Sequence, residues 1–212
     1  MFETLEDMLW PVEQEYQNEF FNVMNSDNKD DDNLCATSCR DSVTVRSFKR
    51  LGPGVYLNDE IINYIIILEK QYDHTCFLTN QRNKSYIFPS YFMTKLLEED
   101  GEYTYEKVRT WSNACHNGNL FCLEYIYFVV NIGNWHWTLV VVHIPTKLIR
   151  YYNSMGKSGQ RYMDAVYHYL DDEHQQLHKG CLVRNEWETI DMLNTIPQQQ
   201  NGKSITIISL LL

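Results

Sequence analysis

The chain of 212 residues has no apolar run approaching the about 20 residues that a membrane span needs. No signal-peptide pattern stands ahead of its cysteines, since Met1-Phe2-Glu3 opens acidic. A basic excess is missing too. Residues 1–32 carry ten acidic side chains against one lysine, a net of −9, while the other 180 carry 18 acidic and 17 basic, a net of −1. A near-neutral domain behind an acidic arm offers no electrostatic footprint for nucleic acid. The six cysteines (35, 39, 76, 115, 122 and 181) are scattered, and Cys35, Cys39, Cys115, His116 and Cys122 fit no zinc-ligand spacing. No internal repeat is visible. The expectation is a monomeric, reduced intracellular protein, nuclear or cytoplasmic, with free thiols. It has no metal, no cofactor and no nucleic-acid or membrane partner.

What is present is a core. Hydrophobic residues make up 44% of the chain and aromatics 14%. Residues 1–40 read as an acidic, partly disordered arm that has room for a short helix around 12–24, with an acidic-aromatic docking peptide as the other reading; residues 41–212 read as one domain. Asn58 can cap a helix whose first residues, Asp59 and Glu60, suit its positive end, with Ile61, Ile62, Ile65, Ile66 and Leu68 facing inward. A second helix is expected from Phe88-Pro89-Ser90 to about Glu99 with Tyr91, Phe92, Met93 and Leu96 inward, and a shorter one near 103–111. Residues 120–132 alternate as a central strand. Residues 159–179 give the longest helical pattern, residues 181–184 a possible strand, and residues 203–212 an apolar strand-like tail. Helices and strands mix without strict βαβ alternation, which indicates α+β.

One stretch organises the rest. Residues 137–144 are apolar and β-branched, Pro145-Thr146-Lys147 turns the chain, and residues 148–152 return. His136 opens the first strand and Asn153 closes the second, so an antiparallel hairpin sets the two side by side. A ring nitrogen held by an amide at a sheet rim is an oriented general base. Taken alone, each residue has a plain explanation: His136 between Trp135 and Trp137 fits a satisfied core histidine, and Asn153 and Gln199 fit ordinary turn residues.

Four motifs in order change that. Leu-Asn-Asp-Glu-x-Ile-Asn (57–63), His-Trp-x-Leu-x-Val-Val (136–142), Tyr-Tyr-x-Ser-Met-Gly (151–156) and Pro-Gln-Gln-x-Asn-Gly (197–202) closely resemble the ubiquitin-like-specific cysteine proteases, the sentrin/SUMO proteases related to adenovirus protease. The resemblance spans roughly residues 43–202. It implies a papain-like, adenain-like fold with a central mixed sheet flanked by helices. It also implies a thiol peptidase or isopeptidase that cleaves after the Gly-Gly tail of SUMO or another ubiquitin-like protein, the deneddylating branch being the nearest rival. On this resemblance His136 is the base, Asn153 the third triad member, and Gln199 an oxyanion-hole donor. Trp137 roofs a tunnel over the tail, Tyr56 stands where the family has a second tryptophan, and Asp59 contacts the partner.

Two positions depart from the pattern. Asn153 replaces the usual aspartate, as in Cys-His-Asn enzymes. More seriously, the family follows Asn-Gly by one residue and then Asp-Cys-Gly, whereas here Lys203-Ser204-Ile205-Thr206 follows, placing Ile205 in the nucleophile's register. A hydrocarbon side chain has no electron pair with which to attack. The last cysteine, Cys181, precedes the glutamine loop. The expectation is therefore a catalytic domain lacking its thiol, with the C-terminal part of the fold missing.

Overall fold

The computed structural model describes residues 13–26, 32–38, 41–52, 54–78, 84–98, 101–178, 180–193 and 195. Gln199, Ile205 and the strand-like tail lie outside these. Two compact units divide the chain between Leu68 and Glu69.

In the first unit, helix α1 (Gln14–Met24) occupies part of the stretch read as a partly disordered arm, and its Phe20 ring lies 5.6 Å from that of Phe48. Strands β1 (Leu34–Ser38) and β2 (Asp41–Thr44) pair antiparallel. Helix α2 (Val45–Phe48) starts at Thr44, whose hydroxyl accepts from the Ser47 N–H. Helix α3 (Asp59–Leu78), of which residues 59–68 belong to this unit, starts where Asn58 Oδ1 accepts the Ile61 N–H at 3.2 Å, the cap its sequence asks for. Burial alone would raise the Glu60 carboxyl. Hydrogen bonds from the Ser47 hydroxyl and the Thr44 N–H outweigh it and hold the group below the ordinary carboxylate range. Ile61, Ile62 and Ile66 are buried as expected, but Leu68 is 43% exposed. A stripe running through 62 and 66 continues at 69 rather than 68, and Glu69 is the buried residue there.

The second unit is a five-stranded mixed sheet. Its strands lie side by side in chain order: β3 (Ser85–Phe88), β4 (Tyr125–Ile132), β5 (His136–His143), β6 (Leu148–Tyr152) and β7 (Glu188–Asp191). The three middle strands form an antiparallel meander and the two edge strands run parallel to their neighbours. Helix α4 (Phe92–Leu96) and helix α5 (Gln160–His178) complete the unit. Helix α5 buries Ala165, Val166, Tyr169 and Leu170 in one core with Phe128, Val140 and Tyr151 of the sheet. Phe92 fastens α4 to the same core, its ring 4.2 Å from Phe88 and 4.9 Å from Tyr169.

The architecture is α+β with a central mixed sheet, as expected, and several local expectations are corrected. Phe88, where the second helix was expected to open, is the last residue of strand β3, and only Phe92–Leu96 of that segment is helical. Tyr91 is exposed against Trp111 rather than inward. Residues 103–111 hold no α-helix but a short 3-10 turn, Tyr105–Lys107, and the start of another at Trp111–Ala114. The strand looked for at 181–184 lies later, at β7. There, Trp187 is buried and the backbone pairs with the open edge of β6. Strand β4 begins at Tyr125, five residues beyond the start of its apolar run, and the central position belongs to β5.

Candidate active site

The β4–β5 connection fixes where the histidine stands. Ile132 pairs with His136, leaving Gly133, Asn134 and Trp135 as the loop. Gly133 and Asn134 both take φ of +62°, which glycine and asparagine tolerate best. A Cβ on Gly133 would lie 2.8 Å from the Trp135 indole nitrogen, so the glycine is needed for the indole to pack there. Trp135 remains 40% exposed, its ring 5.7 Å from that of His136.

The β5–β6 register does the rest. Pairing runs from His143 opposite Leu148 to Leu139 opposite Tyr152. Asn153 is therefore the first residue past β6, level with the opening of β5. Period-two alternation places His136, Thr138 and Val140 on one face, with Tyr151 opposite Val140. Trp137 points to the other face and is 4% exposed.

The structure brings His136 and Asn153 together. His136 Nε2 lies 2.8 Å from Asn153 Oδ1, and both residues are buried. Oδ1 also accepts the Met155 N–H at 2.9 Å. The Asn153 amide nitrogen donates to the Lys157 carbonyl at 3.0 Å and to the Tyr151 hydroxyl at 3.3 Å. Burial pushes the Tyr151 phenol up to about 12, so it stays a neutral hydroxyl. Because Oδ1 can only accept, Nε2 must carry the hydrogen. In the neutral ring the lone pair then sits on Nδ1. Nδ1 is the atom able to take a proton from a nucleophile.

No described cysteine is bonded to that ring. Burial pushes Cys115 up to about 11 and raises Cys35 as well, which disfavours the thiolate at either. Cys122 and Cys181 are exposed. Of the other expected site residues, Tyr56 and Asp59 belong to the first unit. Tyr56 is half-buried, its carbonyl accepting from Arg50 at 3.1 Å, and Asp59 is exposed on the first turn of α3. Gln199 lies outside the described residues. Sequence reasoning missed Tyr151 and the Lys157 carbonyl as supports of Asn153. Tyr151 stands two residues before it on the same face, which was readable; a backbone carbonyl leaves no sequence signal.

A profile of the Ulp1 protease family, C-terminal catalytic domain, matches residues 56–206. Ubiquitin-like-specific protease 1A of Arabidopsis thaliana is 29% identical over 161 residues, covering 76% of this chain and 31% of that protein. Human sentrin-specific protease 2 is 29% identical over 178 residues, covering 81% of this chain and 27% of that protein. The chain thus spans about a third or less of these relatives' length. Among solved structures, the yeast C-terminal Ulp1 protease domain in complex with Smt3, the yeast ortholog of SUMO, superposes with a TM-score of 0.69 at 22% identity, covering 91% of this chain and 78% of that one. The Ulp1-like SUMO protease catalytic domain of Chaetomium thermophilum gives 0.66 at 20% identity, covering 92% and 75%. At such identities these two likenesses speak to the fold. The profile match covers well over half of the sequence and takes in both His136 and Asn153: the chain belongs to the Ulp1 protease family.

Proposed function

We propose that this chain recognises the C-terminal Gly-Gly tail of a SUMO-type protein and carries the base half of a cysteine peptidase site, and that as written it binds the tail without cutting it. The observation that carries the reading is the buried His136–Asn153 pair, set by the hairpin register at the motif positions of a thiol-protease family. A base oriented by an amide serves nucleophilic catalysis. Ile205 in the nucleophile's register removes the attacking atom and leaves recognition as the activity. A yeast relative's structure holds Smt3, which favours SUMO over other ubiquitin-like partners. Asp59, exposed on the first turn of α3, and Trp137, beside the base, are the residues assigned to that contact. An intracellular, nuclear or cytoplasmic setting and a monomeric state go with this reading.

The test mixes the purified chain with mature SUMO, with a Nedd8-type protein and with a SUMO bearing a C-terminal electrophile. Saturable SUMO binding with neither cleavage nor covalent adduct is expected. Asp59→Asn should weaken binding at least severalfold while moving the thermal midpoint little, because the residue is exposed and the change puts no cation at the positive end of the helix. An adduct on any cysteine overturns the binding-only reading. Preference for the Nedd8-type protein overturns the choice of SUMO.

A further inference from the structure

The partners of Asn153 are of two fixed kinds. The Met155 N–H is a backbone group that can only donate, and it lies 2.9 Å from Oδ1. The Lys157 carbonyl is a backbone group that can only accept, and it lies 3.0 Å from Nδ2. Neither can exchange roles, so together they settle which end of the amide faces which way without reference to the histidine. The Tyr151 hydroxyl, 3.3 Å from Nδ2, is a third partner, held neutral and in place by its buried ring. The orientation these groups impose is the one that turns Oδ1 toward His136 Nε2.

We propose that Tyr151, the Met155 N–H and the Lys157 carbonyl form a socket that fits an amide and rejects a carboxylate, and that Asn153 is specified by this socket rather than standing as a weakened aspartate. Tyr151 and the 153–157 turn are then positioning groups that act on His136 through Asn153. An ionised carboxylate in the same place would set one oxygen against the Lys157 carbonyl with no hydrogen between them. That arrangement is costly for a fully buried group. A protonated carboxyl would fit, because its O–H reproduces the amide's donation to Lys157. Tyr151 can rotate its own hydrogen toward a carboxylate; the backbone carbonyl has no such freedom. The titratable groups in contact with this position are His136 on β5 and Tyr151 on β6; behind them Tyr162 of α5 stacks on Tyr151, and Asp191 on β7 acts electrostatically on the Tyr151 phenol. The importance for catalysis rests on the protease reading, but the socket does not.

Two measurements on the full chain test the socket, and neither uses a substrate. The first is the tautomer of His136 in ¹⁵N-histidine-labelled protein at about pH 8, by long-range proton–nitrogen correlation, with His136→Gln for assignment. Hydrogen on Nε2 is expected. Hydrogen on Nδ1, or a rapid mixture, overturns the socket. The second is the thermal midpoint of Asn153→Asp against the parent and Asn153→Ala, at about pH 5 and pH 8. The expected carboxyl in the fold has its pKa raised above the unfolded range. The variant's relative stability is then present at low pH and lost as pH rises. Its midpoint should fall below the parent's by about 2–4 °C or more at pH 8 and recover toward it at pH 5. The deficit of Asn153→Ala should change little with pH. An Asn153→Asp protein as stable as the parent at pH 8, losing ground on acidification, is the behaviour of an ordinary ion pair and overturns the proposal. If Asn153→Asp does not fold at either pH, the proposal stands only if Asn153→Ala folds and the Nε2 tautomer is found.

Discussion

At the scale of single residues, the machinery around His136 depends on a glycine that has no polar atom to offer. Gly159 opens the turn into α5 and donates its N–H to Asp191 at 2.9 Å. A Cβ built on it would lie 2.0 Å from the Tyr151 ring, which is fully buried and cannot swing aside. The backbone of Gly159 therefore lies directly against the ring whose hydroxyl supports Asn153. Gly159→Ala should destabilise the protein by about 1–3 kcal/mol, the usual cost of overpacking. It should also perturb the His136 resonances, although the two residues share no contact. Denaturant titration and a histidine NMR spectrum check both effects. A neutral substitution with unchanged His136 signals would mean that Tyr151 is not held as tightly as its packing indicates. Residue by residue, the sequence made the candidate pair legible and left its supports hidden. His136 and Asn153 could be read because strand pairing fixes which residues end up opposite each other. Gly159 could not, because its role is the space it leaves for a ring eight positions earlier.

At the scale of elements, α5 carries the clearest pH-dependent cost. Its Glu173 is 3% exposed, and burial raises its pKa against hydrogen bonds from Ser112 and Tyr105 that lower it; the Tyr105 bond is 2.8 Å. At the preceding residue, Asp172 accepts the Tyr103 hydroxyl at 2.6 Å. A carboxyl raised in the folded state stabilises the fold below its unfolded pKa, about 4.3 for glutamate. That contribution is lost as pH rises through the folded pKa. Glu173→Gln keeps an acceptor for Tyr105 without the charge. It should flatten the decline in midpoint from about pH 4 upward, with little loss, or a gain, at neutral pH. Tyr105→Phe removes a donor from the buried carboxylate. It should cost about 1–3 kcal/mol, more at pH 8 than at pH 5. Thermal melts across pH decide both; a Glu173→Gln protein with the parent's pH profile would rule the carboxyl out. Helix α5 was readable from its spacing, as was the β5–β6 hairpin from its β-branched run. The short parallel edge strands were not. Glu188-Thr189-Ile190-Asp191 has no apolar alternation and is a strand because β6 offers an open edge beside buried Trp187. Ser85–Phe88 was masked by the helix-like pattern that follows it.

At the scale of the whole chain, a base is not a catalyst without a partner that it can reach. The sheet supplies a buried imidazole with its lone pair directed by the fold, but the family's Asp-Cys-Gly is replaced by Ser204-Ile205-Thr206. On the proposed reading, placing a sulfur at position 205 tests how much a peptidase site needs the atom alone and how much it needs the atom's setting. A thiol in an ordinary environment has a pKa near 8.5, so only a few per cent is thiolate at neutral pH. Proton transfer to His136 gains about 10²–10⁴-fold only when the two groups are within hydrogen-bond reach. Misplacement by about 1 Å already costs on the order of a hundredfold. Ile205→Cys alone restores neither the neighbouring aspartate and glycine of the family pattern nor the geometry they bring. It should therefore release no more fluorophore from a SUMO-type C-terminal substrate than the parent chain. The triple replacement Ser204→Asp, Ile205→Cys, Thr206→Gly separates sequence pattern from scaffold. Activity in the triple variant but not in the single one would place the defect in three residues. Activity in the single variant would show that the base half already presents everything except the sulfur.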